Sequence, residues 1–497
     1  MSVTSRTFNY TRWAKISALI GVVLSLTGCA FLRPSNPDLK IIYEKAAQYH
    51  KPDRNPVIVI PGILGSKLID DQTGQVVWGA FDPKSANPNK PEGARLISLP
   101  IEGDKPLSEI RDTVRSNGVL DKVSFSLLGI PVDIRAYAGI LSTLGAGGYR
   151  DDAFGLGAID YGDDHFTCFQ FSYDWRRDNV ENAKRLKAFM DEKRAYIQAE
   201  YKERYGLEDA EVKFDVVAHS MGGLLLRYFL RYGDQDLTEI DGGEPPWTGA
   251  DYVDRAILIA TPNGGSALAM NQLIEGYDIA KPILPRYPAA VLGTFPSVYQ
   301  LLPRSRHGSY VMDGESEFRL DDIYDPALWQ KYQWGLSSQN KQTQATLEAL
   351  LPNEPDADKR HLLAVAMQGR MLERARAFHQ AIDLQSAPPD GLELFLVAGD
   401  SEKTPREISI DQETGEIRVS SHGQGDGTVL RSSALLDERL GQEWKPVLDS
   451  PIAWDTTLFL SARHIRLTDD PAFANNVLYW LLEEPRKSEN AAFAGGE

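Results

Sequence analysis

The segment F-D-V-V-A-H-S-M-G-G-L-L-L-R-Y-F-L, Phe214 to Leu230, joins two periodicities with almost nothing between them. Phe214 to Val217 is short, apolar and β-branched, the pattern of a buried strand. From Gly222 onward leucine, tyrosine and phenylalanine recur at helical spacing. The junction A-H-S-M-G, Ala218 to Gly222, matches the G-x-S-x-G elbow with alanine in the first glycine's place. A strand that turns this abruptly into a helix accepts only small residues where the two backbones pass, and it lifts its serine above the sheet. The alternative reading of Ser220 is an ordinary helix N-cap.

The rest of the chain supplies partners for such a strand. P-V-I-V-I-P-G-I-L-G-S-K-L, Pro56 to Leu68, reads as a five-residue buried strand, Val57 to Pro61, running into a glycine turn. His165 to Tyr173, Ala256 to Ala260, Leu394 to Val397 and Thr456 to Leu460 read as further strands, and Ile408 to Val419 as a hairpin about Glu413-Thr414-Gly415. Helices are expected over Ala136–Leu144, Val180–Tyr205, residues 358–383 and Pro471–Leu482. Residues 80–110, rich in proline, lysine and glycine, read as a surface excursion. From about 267 to 355 the strand pattern lapses and aromatic residues and prolines crowd in, which predicts a cap or lid insertion, taken to about 385 with the helix that follows. Strands alternating with helices predict an α/β fold with a mostly parallel central sheet, helices on both faces, and working residues beyond the carboxyl ends of the strands. The expected boundaries are 1–28 signal, 29–55 tether, 56–484 α/β domain with the cap insertion, and 485–497 disordered tail.

The N-terminus carries its own signal. Arg6, Arg12 and Lys15 precede an apolar run of eleven residues, Ile16 to Leu26. That run is well short of the roughly 20 residues a spanning helix needs, so it reads as a secretory signal. It ends in L-T-G-C, Leu26 to Cys29, which resembles the lipobox of bacterial lipoproteins; that resemblance implies a lipidated Cys29, a membrane anchor and a place in the cell envelope, with Ala30 pointing to the outer membrane. With Cys29 lipidated, Cys168 has no partner for a disulfide and reads as a buried strand residue. The net charge of −17 argues against a nucleic-acid partner.

A serine hydroxyl needs a base to take its proton and donors to hold the oxyanion. His219 is adjacent to Ser220, but neighbours in so tight a turn point apart, so its ring is expected to pack sideways against the sheet. The elbow architecture orders serine, acid, histidine along the chain. Of eight histidines, His464 follows the last strand and precedes the last helix; His422 is the runner-up. Asp426, in G-Q-G-D-G-T-V, is the expected acid, with Asp400, directly after the strand Leu394 to Val397, as its competitor. The N–H groups of Met221 and of Ile63, in P-G-I-L-G, are the expected oxyanion donors. G-I-L-G-S-K lacks the phosphate-loop spacing and G-L-G-A-I-D, Gly155 to Asp160, fails the dinucleotide fingerprint at its third glycine. No cofactor or metal is called for, and oligomeric state is not indicated.

Taken in order, P-V-I-V-I-P-G-I-L-G-S-K-L, Y-D-W-R at Tyr173 to Arg176, A-H-S-M-G-G, T-P-N-G-G-S, G-D-G-T-V and His464 resemble the lecithin:cholesterol acyltransferase family of α/β-hydrolases over residues 56 to about 482. The resemblance implies the α/β-hydrolase fold, a triad of Ser220, Asp426 and His464, and oxyanion donors at Ile63 and Met221. It also implies acyl transfer from a phospholipid or other lipid ester to water, a sterol or another alcohol. The chain departs from mammalian members, which close a lid near the first glycine turn with a disulfide, because it has no cysteine there. Trp78 reads as a surface residue or an apolar contact in that region, and Y-D-W-R as a loop held by an Asp174–Arg176 pair.

Overall fold

The computed structural model describes residues 36–487 apart from 82–83, 104, 121, 128–129, 136, 156–164, 241, 279–284 and 441–442. The expected signal over 1–28, Cys29, most of the rejected Gly155–Asp160 motif and the tail beyond 487 lie outside the described residues.

Six parallel strands form the centre: β1 (Val57–Ile60), β2 (Cys168–Gln170), β3 (Phe214–His219), β4 (Val253–Ile259), β5 (Glu393–Gly399) and β6 (Thr456–Leu460), arranged β6-β5-β4-β3-β1-β2. Successive side chains point to opposite faces of a strand, and both faces here are covered. Ile58 and Ile60 belong to one core cluster, with Val216, Ala218 and Leu258. Val57 and Val59 belong to the other, with Val217, Ile257 and Phe395. This is why the strands read as continuous apolar runs and not as alternating ones.

The main helices are α1 (Ala138–Ala146), α2 (Asn179–Tyr205), α3 (Met221–Tyr232), α4 (Ala357–Asp383) and α5 (Pro471–Leu482). Asp178 caps α2 by accepting from Val180 N–H, and Gly206 closes it in the left-handed conformation. Every residue of α3 is buried, with α2 packed along it and α4 against its outer face. Tyr228 stacks on Phe378 at 5.7 Å, and the Tyr232 hydroxyl donates to Ala381 O.

Several segments differ from the sequence-based expectation. The excursion over 80–110 is flanked by strands of two small sheets, one formed by Val76–Trp78, Ser66–Asp70 and Val114–Val119, the other by Ala80–Phe81, Lys122–Leu127 and Ile130–Arg135. Strand structure does not lapse through the cap insertion: Tyr310–Asp313 pairs in parallel with Glu402–Asp411 and antiparallel with Phe318–Arg319. The hairpin about Gly415 joins this same four-stranded sheet, which carries one edge of the cap. The strand expected over His165–Tyr173 is the three residues of β2.

At both ends, packed structure runs past the expected domain boundaries. Within the expected tether, Leu39–Ile42 and Glu44–Ala47 are short helices, with Tyr43 and Ala47 buried and the Tyr43 hydroxyl donating to Asn475 O on α5. Arg486, expected in a disordered tail, is buried and pairs with Asp215 of β3 at 2.7 Å. Trp78 is not a surface residue: it is 3% exposed, its indole N–H donates to Leu64 O, and it meets Trp175 and Tyr287 edge-on. Asp174 and Arg176 form a bidentate pair, with Nε–Oδ1 at 3.0 Å and Nη2–Oδ2 at 2.7 Å. The same guanidinium reaches Asp112 and Ile97 O, and Trp175 Nε1–H donates to Ser66 O, so Y-D-W-R fastens the loop after β2 to the 97–112 segment and to the strand Ser66–Asp70. Cys168 is buried and free.

Candidate active site

Ser220 stands at the end of β3 with φ 54° and ψ −125°, a backbone conformation that L side chains rarely adopt. The close passage that motivates small residues is visible at both following glycines. A Cβ on Gly222 would lie 2.4 Å from Pro61 O, and one on Gly223 would strike the Thr261 side chain. Ser220 N–H donates to Ile259 O at 2.7 Å, which ties the turn to β4. Although Ser220 occupies the N-cap position of α3, its side chain caps nothing. Its hydroxyl faces His464 instead.

His464 Nε2 lies 3.0 Å from Ser220 Oγ, and His464 Nδ1 lies 2.7 Å from Asp426 Oδ2. His464 opens the short 3-10 helix that follows β6, as its place in the sequence predicts. Asp426 is reached by a different route: it follows the hairpin strand Ile417–Gly425, outside the central sheet. It approaches because Gly399, the last residue of β5, has no side chain; a Cβ there would lie 2.6 Å from Asp426 Cβ. The other carboxylate oxygen accepts from the N–H groups of Thr428 and Val429, and His464 N–H donates to Asp426 O at 3.0 Å. Burial acts to raise the Asp426 carboxyl, but His464 and the two loop amides outweigh it and hold it below the usual carboxylate value. Asp400 is tied by its N–H to Leu460 O, and the acid on His464 is Asp426.

Ile63 lies in the turn after β1 and Met221 at the first helical position of α3, where an N–H has no intrahelical acceptor. The intervening Gly62 is so close to the nucleophile that a Cβ there would lie 2.8 Å from Ser220 Cβ. The two amides therefore belong to turns that converge on Ser220.

The remaining histidines are elsewhere. His422 lies on the Ile417–Gly425 strand opposite Pro405, His307 pairs with Glu438, and His379 is enclosed in α4. His219 does turn aside from the serine, but its ring packs at the rim, edge-on to Tyr137 at 5.5 Å and 5.0 Å from the His464 ring. Burial, then the neighbouring His464, pulls the His219 imidazole down to about 3. Tyr137 is the site residue that sequence reasoning passed over. It sits just before α1 and carries no spacing signal linking it to Ser220. Among the described residues, no cluster of three or more His, Cys, Asp or Glu could hold a metal ion, and no helix is long and apolar enough to cross a membrane.

Set beside known proteins, residues 150–382 match the family model described as lecithin:cholesterol acyltransferase. A phospholipase A(1) of Arabidopsis thaliana is 21% identical over 485 residues, covering 88% of this chain and 92% of the relative. A lecithin-cholesterol acyltransferase-like protein of Arabidopsis thaliana is 28% identical over 250 residues, covering 48% of this chain and 40% of the relative. Among solved structures, a chain from the crystal structure of the Tle4–Tli4 complex aligns with a TM-score of 0.52 at 15% identity, over 87% of this chain and 99% of that one. At that identity the likeness bears on fold alone, and the fold is that of an α/β-hydrolase.

Proposed function

We propose that the chain is a member of the lecithin:cholesterol acyltransferase family, whose model matches residues 150–382, and that it transfers a fatty acyl group from a lipid ester through a covalent intermediate on Ser220. The observation that carries this reading is the continuous contact Ser220 Oγ–His464 Nε2–His464 Nδ1–Asp426 Oδ2, at 3.0 and 2.7 Å. His464 takes the hydroxyl proton as Oγ attacks the ester carbonyl carbon. The electron pair of the C=O bond moves onto oxygen, which receives hydrogen bonds from the Ile63 and Met221 amides. Asp426, held ionised, orients the ring and stabilises the imidazolium. That imidazolium returns its proton to the departing alkoxide as the ester C–O bond breaks, leaving acyl-Ser220. Water or an alcohol, deprotonated by His464, then attacks the acyl carbon and regenerates the serine.

Ser220→Ala is expected to lower turnover on long-chain p-nitrophenyl esters and on phospholipid by about 10⁴-fold or more. Near-normal turnover in that variant would overturn the assignment. Activity should also climb with acyl-chain length in the wild-type enzyme; a preference for acetyl esters would favour a small-ester hydrolase instead.

The L-T-G-C motif further supports attachment of the enzyme to a bacterial envelope membrane through a lipidated Cys29. Radiolabelled palmitate fed to expressing cells should enter the wild-type protein and not Cys29→Ser; equal labelling of both would exclude this anchor.

A further inference from the structure

Three polar contacts cross the rim of the sheet without involving Ser220. Gly62 N–H donates to Tyr137 Oη at 2.8 Å, Tyr137 Oη lies 3.3 Å from His219 Nδ1, and His219 Nε2 lies 3.4 Å from His464 O. One end is therefore the residue before Ile63, in the turn assigned to oxyanion binding. The other end is the backbone of the base itself. We propose that Tyr137 and His219 form a hydrogen-bonded strut that fixes the oxyanion turn and the His464 loop at one separation, so that both are positioning residues for acyl transfer; this rests on the triad reading above.

The protons can be placed in only one way. Tyr137 Oη already accepts from Gly62, so its single hydrogen is free for His219 Nδ1. A neutral imidazole with Nδ1 accepting carries its hydrogen on Nε2, which then donates to the His464 carbonyl. The opposite tautomer would turn a lone pair on Nε2 toward the carbonyl oxygen. The sense thus runs from Gly62 through Tyr137 and His219 to His464. Burial favours the neutral His219 ring, so the strut keeps its polarity during turnover.

The surroundings are built for this reach. A Cβ on Gly65 would lie 2.6 Å from Tyr137 Oη, so glycine at that position leaves room for the phenol. Tyr137 is buried, and the ring pair edge-on at 5.5 Å fixes the direction of the His219 plane. Both His219 contacts are longer than the 2.8 Å bond from Gly62 N–H to Tyr137 Oη, so the imidazole is the softer half of the strut. The strut ends on backbone groups of the two turns, so it acts through the placement of the oxyanion donors and the base.

The test compares Tyr137→Phe, His219→Gln, His219→Leu and the double variant Tyr137→Phe/His219→Leu. Tyr324→Phe serves as a control, because Tyr324 donates to His379 in the cap in the same manner. Tyr137→Phe should lower kcat about 10- to 100-fold with KM within twofold. His219→Gln, whose amide can accept at one end and donate at the other, should retain at least about tenfold more kcat than His219→Leu. The double variant should be no worse than His219→Leu, since both break one strut. The pH profile of kcat/KM should shift in Tyr137→Phe, while Tyr324→Phe should lose stability and keep its kcat. Unchanged kcat and pH profile in Tyr137→Phe, or equal kcat in the two His219 variants, would overturn the strut; the second comparison decides even where Tyr137→Phe fails to fold. Reaction of the wild-type serine with a fluorophosphonate separates the two readings, because a protein without the triad would not be labelled at all.

Discussion

The molecule contains the same hydrogen-bonded unit twice, a tyrosine hydroxyl on a buried histidine Nδ1 whose Nε2 faces a backbone carbonyl. At the rim it is Tyr137–His219–His464 O, with separations of 3.3 and 3.4 Å. In the cap it is Tyr324–His379–Gln300 O, with separations of 2.6 and 2.8 Å. Both ring pairs are edge-on at 5.5 Å, and both imidazoles are held neutral chiefly by burial. The difference is in what surrounds them. The cap unit sits in a charged network: Gln300 bonds Asn179 and Asp178, Arg374 bonds Asp178 and Asp236, and Arg304 bonds Asp383 and Asn263 O. The rim unit ends on two loops beside a serine with positive φ and amides left for a ligand. Short contacts between buried charges hold the cap to the sheet; at the rim the contacts are long, with backbone strain at Ser220 nearby.

The largest effect that would break this contrast is at Asp383, the hub of the cap network. Its carboxylate meets Arg304 at 2.6 Å and Arg306 at 3.0 Å, with Arg227 3.8 Å away. Burial works against the charge, but the arginines hold the carboxyl well below its usual range. Asp383→Ala leaves Arg304 and Arg227 buried without their counter-charge, which costs about 3–5 kcal/mol. Urea unfolding should register that loss, while kcat measured at a temperature where the variant is folded stays near wild type. A large fall in kcat with unchanged unfolding would mean that the cap network belongs to the catalytic machinery.

The rim was legible in the sequence and the cap network was not, for a physical reason. An elbow is local: strand, small residues and helix follow one another, so Ser220 and its neighbours declare themselves within nine residues. His464 is readable because its position follows from the architecture, one strand after another. Asp426 was readable as a carboxylate between glycines, but its support, the hairpin packed beside β5 through the gap at Gly399, is tertiary. The cap depends on pairs such as Arg374 with Asp236 and Arg304 with Asp383, separated by 138 and 79 positions, and no periodicity links them. The strand Tyr310–Asp313 was missed for the same reason: it is a short apolar run whose partner, Glu402–Asp411, lies far along the chain. Tyr137 has this character too. It joins the rim only through folded proximity.

Smaller, and sharper as a comparison, is the response to acid. Each of these two histidines has a folded pKa below its unfolded one, near 3 for His219 and well below 6.5 for His379. The unfolded chain therefore binds more protons than the folded one below about pH 6.5. Their contribution is fully present above that value and is lost as pH falls, with a limiting slope of about 1.4 kcal/mol per pH unit for an imidazole that stays neutral in the folded state. His50, lowered to about 4 mainly by burial but only partly enclosed, adds less. The lowered carboxyls of Asp383 and Asp426 lose stability only below their unfolded value near 3.8, whereas Asp151 and Glu484, raised chiefly by burial, act in the opposite sense, so a loss of stability between pH 5 and 6.5 comes from the histidines. Urea unfolding at pH 7 and pH 5 should show the loss. His379→Gln and His219→Gln should each remove about half of the part carried by these two rings. If only His379→Gln flattened the dependence, the rim imidazole would be protonating in the folded enzyme, and its long contacts would reflect a ring that solvent reaches instead of one that braces His464.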